Sequence, residues 1–235
     1  NKLCFEEVNH DLALAFRYTW ATSDQHGFVR LCELRNLGNE TLRIELVDGL
    51  QNILPAGTPL LLQTNSSNLV DAYKWTELDA ATGLAMYALY SRISDRAEPA
   101  ESLRANVVYG LGLNAPTVLL SSLQLNDFRL GKPVVREERK RGIRGAYFQV
   151  ASIVLASRES QRWQIVADIG QTQRQVVEAI RHLAAPADAA LAVANSVDAG
   201  CDKLARIIAS SSVKAPSRIP AFSVVIASIP SPRPR

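Results

Sequence analysis

Apolar and polar residues alternate along much of the first 170 positions, as expected for strands that bury one face. Residues 30–35 alternate almost perfectly and residues 41–47 alternate again, and the segment 36–40 between them includes Gly38, which tolerates a positive φ. This pattern predicts a β-hairpin with one solvent-exposed face.

A second hairpin is predicted from arms at 69–78 and 84–93 around a loop at 79–83. Two uncharged stretches, 49–70 and 105–126, have the length of a membrane span, but prolines, glycines and polar residues interrupt both of them. We therefore expect each to form a pair of buried strands joined by a turn. Further strands are predicted at 104–113, 117–125, 146–155 and 162–169. Short strands separated by turn signals favour a mainly β fold, an antiparallel β-sandwich.

The hydrophobic period changes after residue 170. Val176, Val177, Ile180 and Leu183 fall on one face of a helix, and Thr172 can cap its start. A second helix, which Asp188 can cap, carries an apolar stripe formed by Ala190, Ala194, Val197, Cys201, Leu204 and Ile208. We expect this stripe to pack on the sandwich, since helices draw most of their stability from tertiary packing. Packing on a missing partner domain is the alternative.

The predicted organisation is a β domain over residues 1–170, a helical linker over 171–212 and an irregular tail over 213–235, where prolines accumulate. The chain begins inside a patterned segment, without the features of a signal peptide, so we expect it to be part of a longer or processed protein.

Composition excludes several classes of function. The 235 residues include 26 basic and 23 acidic side chains, a net charge of +3 that gives no reason to expect nucleic acid or membrane as a partner. Three distant cysteines and three histidines show no C-x-x-C or H-x-x-x-H spacing, so no metal site and no cofactor are predicted. The motifs of hydrolase triads and nucleotide sites are also missing from the sequence.

Six residues are candidates for contacts with carbohydrate. Amide side chains form hydrogen bonds with sugar hydroxyls and aromatic rings offer a flat surface, which singles out Gln51, Asn52, Tyr73 and Trp75. Glu98 and Glu101 lie on an acidic loop that could line a partner's cleft, but catalysis needs carboxylates on facing walls. The basic run at 136–144 is interpreted as a solvated loop joining two strands, and Asp48-Gly49 as a turn.

An ordered series of segments resembles a known family. These segments are 34–40, 47–55, 69–74, 95–104, 144–148 and 163–168. Over about residues 25–210 the chain is similar to the N-terminal β-supersandwich, galactose-mutarotase-like domain of cellobiose and chitobiose phosphorylases and related glycoside hydrolases. In that family a helical linker and a catalytic (α/α)6 barrel follow the sandwich.

The resemblance implies a non-catalytic N-terminal domain that supports a barrel of the same polypeptide and its dimer or sugar-cleft contacts in a cytoplasmic enzyme. The family's catalytic residues lie in the barrel, so no catalytic residue is assigned and the isolated chain is expected to be inactive. A free-standing carbohydrate-binding module is one alternative. A mutarotase-type epimerase is another, but it needs an acid and a base beside the anomeric carbon, and only His10, His26 and His182 are available as histidines.

Overall fold

The computed structural model describes residues 2–91, 93 and 103–210, which form eleven strands and five helices. The strands are β1 (Leu3–Asn9), β2 (Leu14–Ser23), β3 (Gly27–Asn36), β4 (Leu42–Ile53), β5 (Lys74–Asp79), β6 (Leu84–Leu89), β7 (Arg104–Leu111), β8 (Thr117–Leu119), β9 (Arg139–Arg141), β10 (Gly145–Leu155) and β11 (Ser160–Thr172). The helices are α1 (Leu60–Asn65), α2 (Ser67–Tyr73), α3 (Leu125–Arg129), α4 (Gln173–Leu183) and α5 (Pro186–Ser210).

Two antiparallel sheets dominate the described part of the chain. A large sheet has the strand order β1-β2-β3-β11-β7-β6-β5-β9, and a small sheet has the order β4-β10-β8. The predicted mainly β, antiparallel sandwich character is therefore confirmed.

The large sheet is the middle of three layers. One face of the large sheet packs against the small sheet through a core that includes Trp163 and Ile165 of β11 and Tyr147 of β10. Its other face packs against α4 and α5 through a second core that includes Val166 of β11 and Val193 of α5. Because successive side chains of a strand point to opposite faces, β11 contributes to both cores.

The first predicted hairpin is wrong, because β3 and β4 belong to different sheets. β3 pairs with β2 and β11, whereas β4 pairs with β10. The fully buried Asn36 fixes the connection: its amide nitrogen donates to Glu40 O and Ala156 O, and its Oδ1 accepts from Gly38 N. These bonds tie the turn to the end of β10, so that the chain crosses between the sheets.

The second hairpin is confirmed between β5 and β6, with Asp79 opposite Leu84. Its first arm is shorter than predicted, because residues 67–73 form α2. The strand pair predicted for 49–70 is also wrong: β4 ends at Ile53, and α1 follows with Leu60 and Leu61 largely exposed. In the stretch 105–126 the strands β7 and β8 are present, although β8 ends at Leu119.

The basic run is not only a solvated loop. Residues 139–141 form β9, which pairs with β5 at the edge of the large sheet. Glu137 just before it is buried, and its carboxylate accepts from Leu120 N, Ser121 Oγ and Gln124 Nε2. Burial alone raises the pKa of Glu137, but these hydrogen bonds and one from Lys140 outweigh burial and hold the pKa below its usual value.

The two C-terminal helices begin close to the predicted positions. Thr172 caps α4 in a capping box with Gln175. The apolar face of α5 differs from the predicted stripe: the buried residues are Ala189, Val193 and Val197, so only Val197 of the stripe is fully buried. The first half of α5 packs on the large sheet, whereas Ile208 near its end is 64% exposed. Among the described residues, no helix combines the length and the apolar character that crossing a bilayer requires.

Candidate functional site

The structure separates the predicted carbohydrate contacts into two places. Gln51 and Asn52 are exposed near the end of β4, in the small sheet. Trp75 lies on β5 in the large sheet and lines a groove with Val176 and Ile180 of α4, on the side of the sheet that faces away from the small sheet. The two amides and the indole therefore do not form one site.

The aromatic neighbour of Trp75 is Tyr90, which the sequence analysis did not select. The two rings lie 6.3 Å apart at an interplanar angle of 33°, and Tyr90 is 77% exposed. The half-buried Tyr73 acts through its backbone, since its carbonyl accepts from Tyr90 N at 2.8 Å. Glu98 and Glu101 lie outside the described residues.

Charged side chains surround Trp75. The guanidinium carbons of Arg141 and Arg139 lie 3.8 and 5.4 Å from its ring centroid, both within the range of a cation–π contact. Glu77 accepts from the indole N–H at 3.3 Å and from Arg139 at 2.7 Å. The hydrogen bond with Arg139 is the main cause that lowers the pKa of Glu77. Half-exposed aromatic and ionic groups are thus held side by side.

Strand pairing explains this arrangement. Trp75 is opposite Arg141 and Glu77 is opposite Arg139, because β9 runs antiparallel to β5. The site could have been predicted from the sequence if the basic run had been paired, as an antiparallel strand, with the segment around Trp75.

The groove beside Trp75 has a volume of about 490 Å³. Its floor is mainly apolar and includes Met86, Val176 and Ile180, while Arg104 and Gln171 supply polar groups. Small-molecule sites typically combine such an apolar lining with a few polar groups. We call this groove, together with Trp75, Tyr90, Glu77, Arg139 and Arg141, the Trp75 site.

A second groove, of about 450 Å³, lies between the large sheet and α4, and the sequence analysis missed it. It brings together His26 from the β2–β3 turn, His182 from α4 and Asp168 from β11. The two imidazole rings are 6.3 Å apart, and His26 Nδ1 is 3.3 Å from the hydroxyl of Tyr109. No local spacing signals this cluster, because its members are more than ten residues apart in the chain.

In this His26 groove the pKa values of the two acid–base groups shift towards each other. Partial burial, and then the neighbouring His182, lower the pKa of His26, so that the neutral imidazole is favoured. Burial raises the pKa of Asp168, although the backbone N–H of Ile169 partly opposes that shift. An imidazole that favours its neutral form beside a carboxyl group of raised pKa is an arrangement suited to proton transfer.

Asp48 is a buried structural residue within a strand, whereas the sequence analysis predicted that it lies in a turn. It lies within β4, where it accepts from Arg30 Nη1 and from the indole N–H of Trp163, both at 2.7 Å. The next residue of the strand, Gly49, has to be a glycine because a Cβ at this position would overlap the backbone of Tyr147. Asp48, Arg30 and Trp163 are all buried, so this cluster belongs to the interior between the two sheets.

The described residues contain no group of three or more His, Cys, Asp or Glu side chains placed to hold a metal ion. No protein-family model matches the sequence, and a comparison with curated proteins finds no significant match.

Proposed function

We propose that this chain is a non-catalytic, carbohydrate-binding β domain of a carbohydrate-active enzyme, and that sugar binds at the Trp75 site. The observation that carries the proposal is the half-exposed Trp75 with its neighbour Tyr90 and the flanking charged side chains.

A pyranose ring has an apolar C–H face and a rim of hydroxyl groups. The rings of Trp75 and Tyr90 provide apolar surface with a polar edge, which suits the first feature. Glu77, Arg139 and Arg141 provide charged hydrogen-bonding groups, which suit the second. Both kinds of contact that a sugar needs are thus present at the Trp75 site.

At the level of the whole protein we propose the galactose-mutarotase-like supersandwich architecture, with α4 and α5 as the linker to an (α/α)6 barrel. In this proposal the enzyme is a cytoplasmic glycoside phosphorylase or hydrolase, and the domain supports the barrel and a homodimer contact. A free-standing carbohydrate-binding module is the alternative. The length of α5, whose last turns leave Ile207 and Ile208 exposed, favours a helical linker over a self-contained module.

The test is calorimetric titration of the chain with cellobiose and chitobiose. Trp75→Ala is expected to weaken binding at least about tenfold, because it removes the aromatic surface, and Glu77→Gln to weaken it less. Phe28→Ala is the matched control, since Phe28 is an exposed aromatic residue on β3, away from the Trp75 site. Equal affinities for wild type and Trp75→Ala, or no binding of either disaccharide, would overturn the assignment of sugar binding to this site.

The His26 groove favours a second candidate, a mutarotase-type sugar epimerase. Here His26 acts as the base that takes the proton of the anomeric hydroxyl, and Asp168 as the acid that protonates the ring oxygen. Polarimetry of freshly dissolved α-D-glucose and α-D-galactose tests this candidate. It requires acceleration over buffer that His26→Gln abolishes and His10→Gln, on the exposed turn after β1, retains. Wild-type rates equal to those in buffer rule it out.

A further inference from the structure

A third cavity opens at one end of the sandwich, where both sheets and the α4–α5 junction at Leu183 and Pro186 line it, and we call it the inter-sheet cleft. It has a volume of about 410 Å³, within the range of small-molecule sites. β10 contributes Tyr147 and Gln149, the end of β7 contributes Gly110 and Gly112, and Arg136 lies on the segment before β9. It shares no lining residue with the Trp75 site or the His26 groove.

Gln149 is a buried polar residue in the lining of this cleft. Its side chain is among the largest fully buried ones, yet its Oε1 has no hydrogen-bond partner among the described residues. Buried polar groups are normally hydrogen-bonded, so an unpartnered amide oxygen that lines a cavity needs an explanation. The neighbouring strand residues Tyr147 and Ile153 are apolar core residues, which makes a glutamine in this row of β10 unusual.

Gly110 leaves the space that the amide group of Gln149 occupies. A Cβ atom at residue 110 would lie 2.1 Å from Gln149 Oε1, so only glycine lets the amide lie against β7. The hydroxyl of Tyr147 is already engaged, since it donates to Gly83 O at 2.9 Å. Gln149 Oε1 is therefore an unpartnered acceptor in the lining of the cleft, suited to a hydroxyl or amino donor.

Arg136 provides positive charge at the same cleft. Its guanidinium contacts Glu138 at 2.8 Å, but both side chains are about half exposed or more, and such surface pairs are weak. An anionic ligand can therefore pair with the Arg136 guanidinium at little cost, because the Arg136–Glu138 pair that it replaces is weak. An acceptor inside the cleft and a cation at its edge define a ligand with a donor at one end and negative charge at the other.

We propose that the inter-sheet cleft binds a small hydroxylated anion, a hexose that carries one carboxylate or phosphate group. A hydroxyl of the ligand donates to Gln149 Oε1, and the anionic group pairs with Arg136. The proposal goes beyond sugar binding at the Trp75 site and does not depend on it.

The experiment is calorimetric titration of the full chain with D-glucuronate, glucose 6-phosphate, neutral glucose and inorganic phosphate. We expect saturable binding of glucuronate, glucose 6-phosphate or both, and the two arms distinguish a carboxylate from a phosphate. Gln149→Leu and Arg136→Gln are each expected to weaken binding at least about tenfold. Arg129→Gln, an exposed arginine at the end of α3, is the matched control and should bind like wild type.

Three outcomes overturn the proposal: neither anionic sugar binds, neutral glucose or phosphate alone binds as tightly as the anionic sugars, or Arg136→Gln binds like wild type. Because Arg136 is exposed, its variant decides the question even if Gln149→Leu does not fold. Trp75→Ala should leave this binding unchanged, which separates a failure here from a failure of the Trp75 site.

Discussion

Asp48 holds together three strands of the sandwich interior. It lies on β4 of the small sheet and binds Arg30 of β3 and Trp163 of β11, both in the large sheet. Arg30 also lies 4.7 Å from the ring centroid of Tyr18, so its charge is enclosed by a carboxylate and an aromatic face. Removing one partner of such a buried pair leaves the other charge uncompensated, which is the costly case.

Asp48→Asn is therefore expected to lower the free energy of unfolding by about 3–5 kcal/mol. Urea denaturation followed by tryptophan fluorescence measures the change. Glu6→Gln is the control, because Glu6 forms an exposed pair with Arg17 at 2.9 Å, and such pairs contribute at most about 1 kcal/mol. A loss below about 1 kcal/mol for Asp48→Asn, similar to that of the control, contradicts a structural role for the cluster.

At the scale of elements, α5 divides into a packed half and an exposed half. Val193 and Val197 are completely or almost completely buried against the large sheet, whereas Ile208 is 64% exposed. An aspartate buried without a partner is strongly destabilising, but one on an exposed turn is not.

We expect Val193→Asp to lower the free energy of unfolding by at least about 3 kcal/mol and Ile208→Asp to change it by less than about 0.5 kcal/mol. Thermal denaturation and light scattering on both variants provide the measurement. If the two variants melt alike, α5 does not pack on the sheet as described. A loss of mass in Ile208→Asp alone indicates that the exposed half forms a contact between copies.

Local signals account for the elements that were predicted well. The capping box at Thr172 and the tight loop before Leu84 are decided by residues a few positions apart, so the sequence alone is sufficient for α4 and for the β5–β6 hairpin. The crossing from β3 to β4 depends on Asn36 binding the carbonyl of Ala156, about 120 positions away. No pattern of neighbouring residues contains that information.

At the scale of the whole molecule, strand alternation predicts a sheet with one solvent-exposed face. The middle strands of the large sheet are instead covered on both sides, by the small sheet and by the helices. Arg30 illustrates the difficulty: as a charged residue in an alternating strand it predicts exposure, yet it is buried because Asp48 reaches it from the other sheet. The same holds for the candidate sites. Trp75 was found because its residue type is informative, whereas Arg139 and the His26 groove depend on strand order and on helix packing.

The position of β11 also has a consequence for biosynthesis. Among the residues that the structure describes, this is the last strand, yet it lies in the interior of the large sheet between β3 and β7. Until residues 160–172 have left the ribosome, β3 and β7 both present open edges, and open edges invite pairing with other chains. Pairings over such long sequence separations are also slow to form. Nascent chains of this domain therefore pass through a long interval in which they are exposed to aggregation, and that interval ends only when the strand that joins the two halves of the sheet is made.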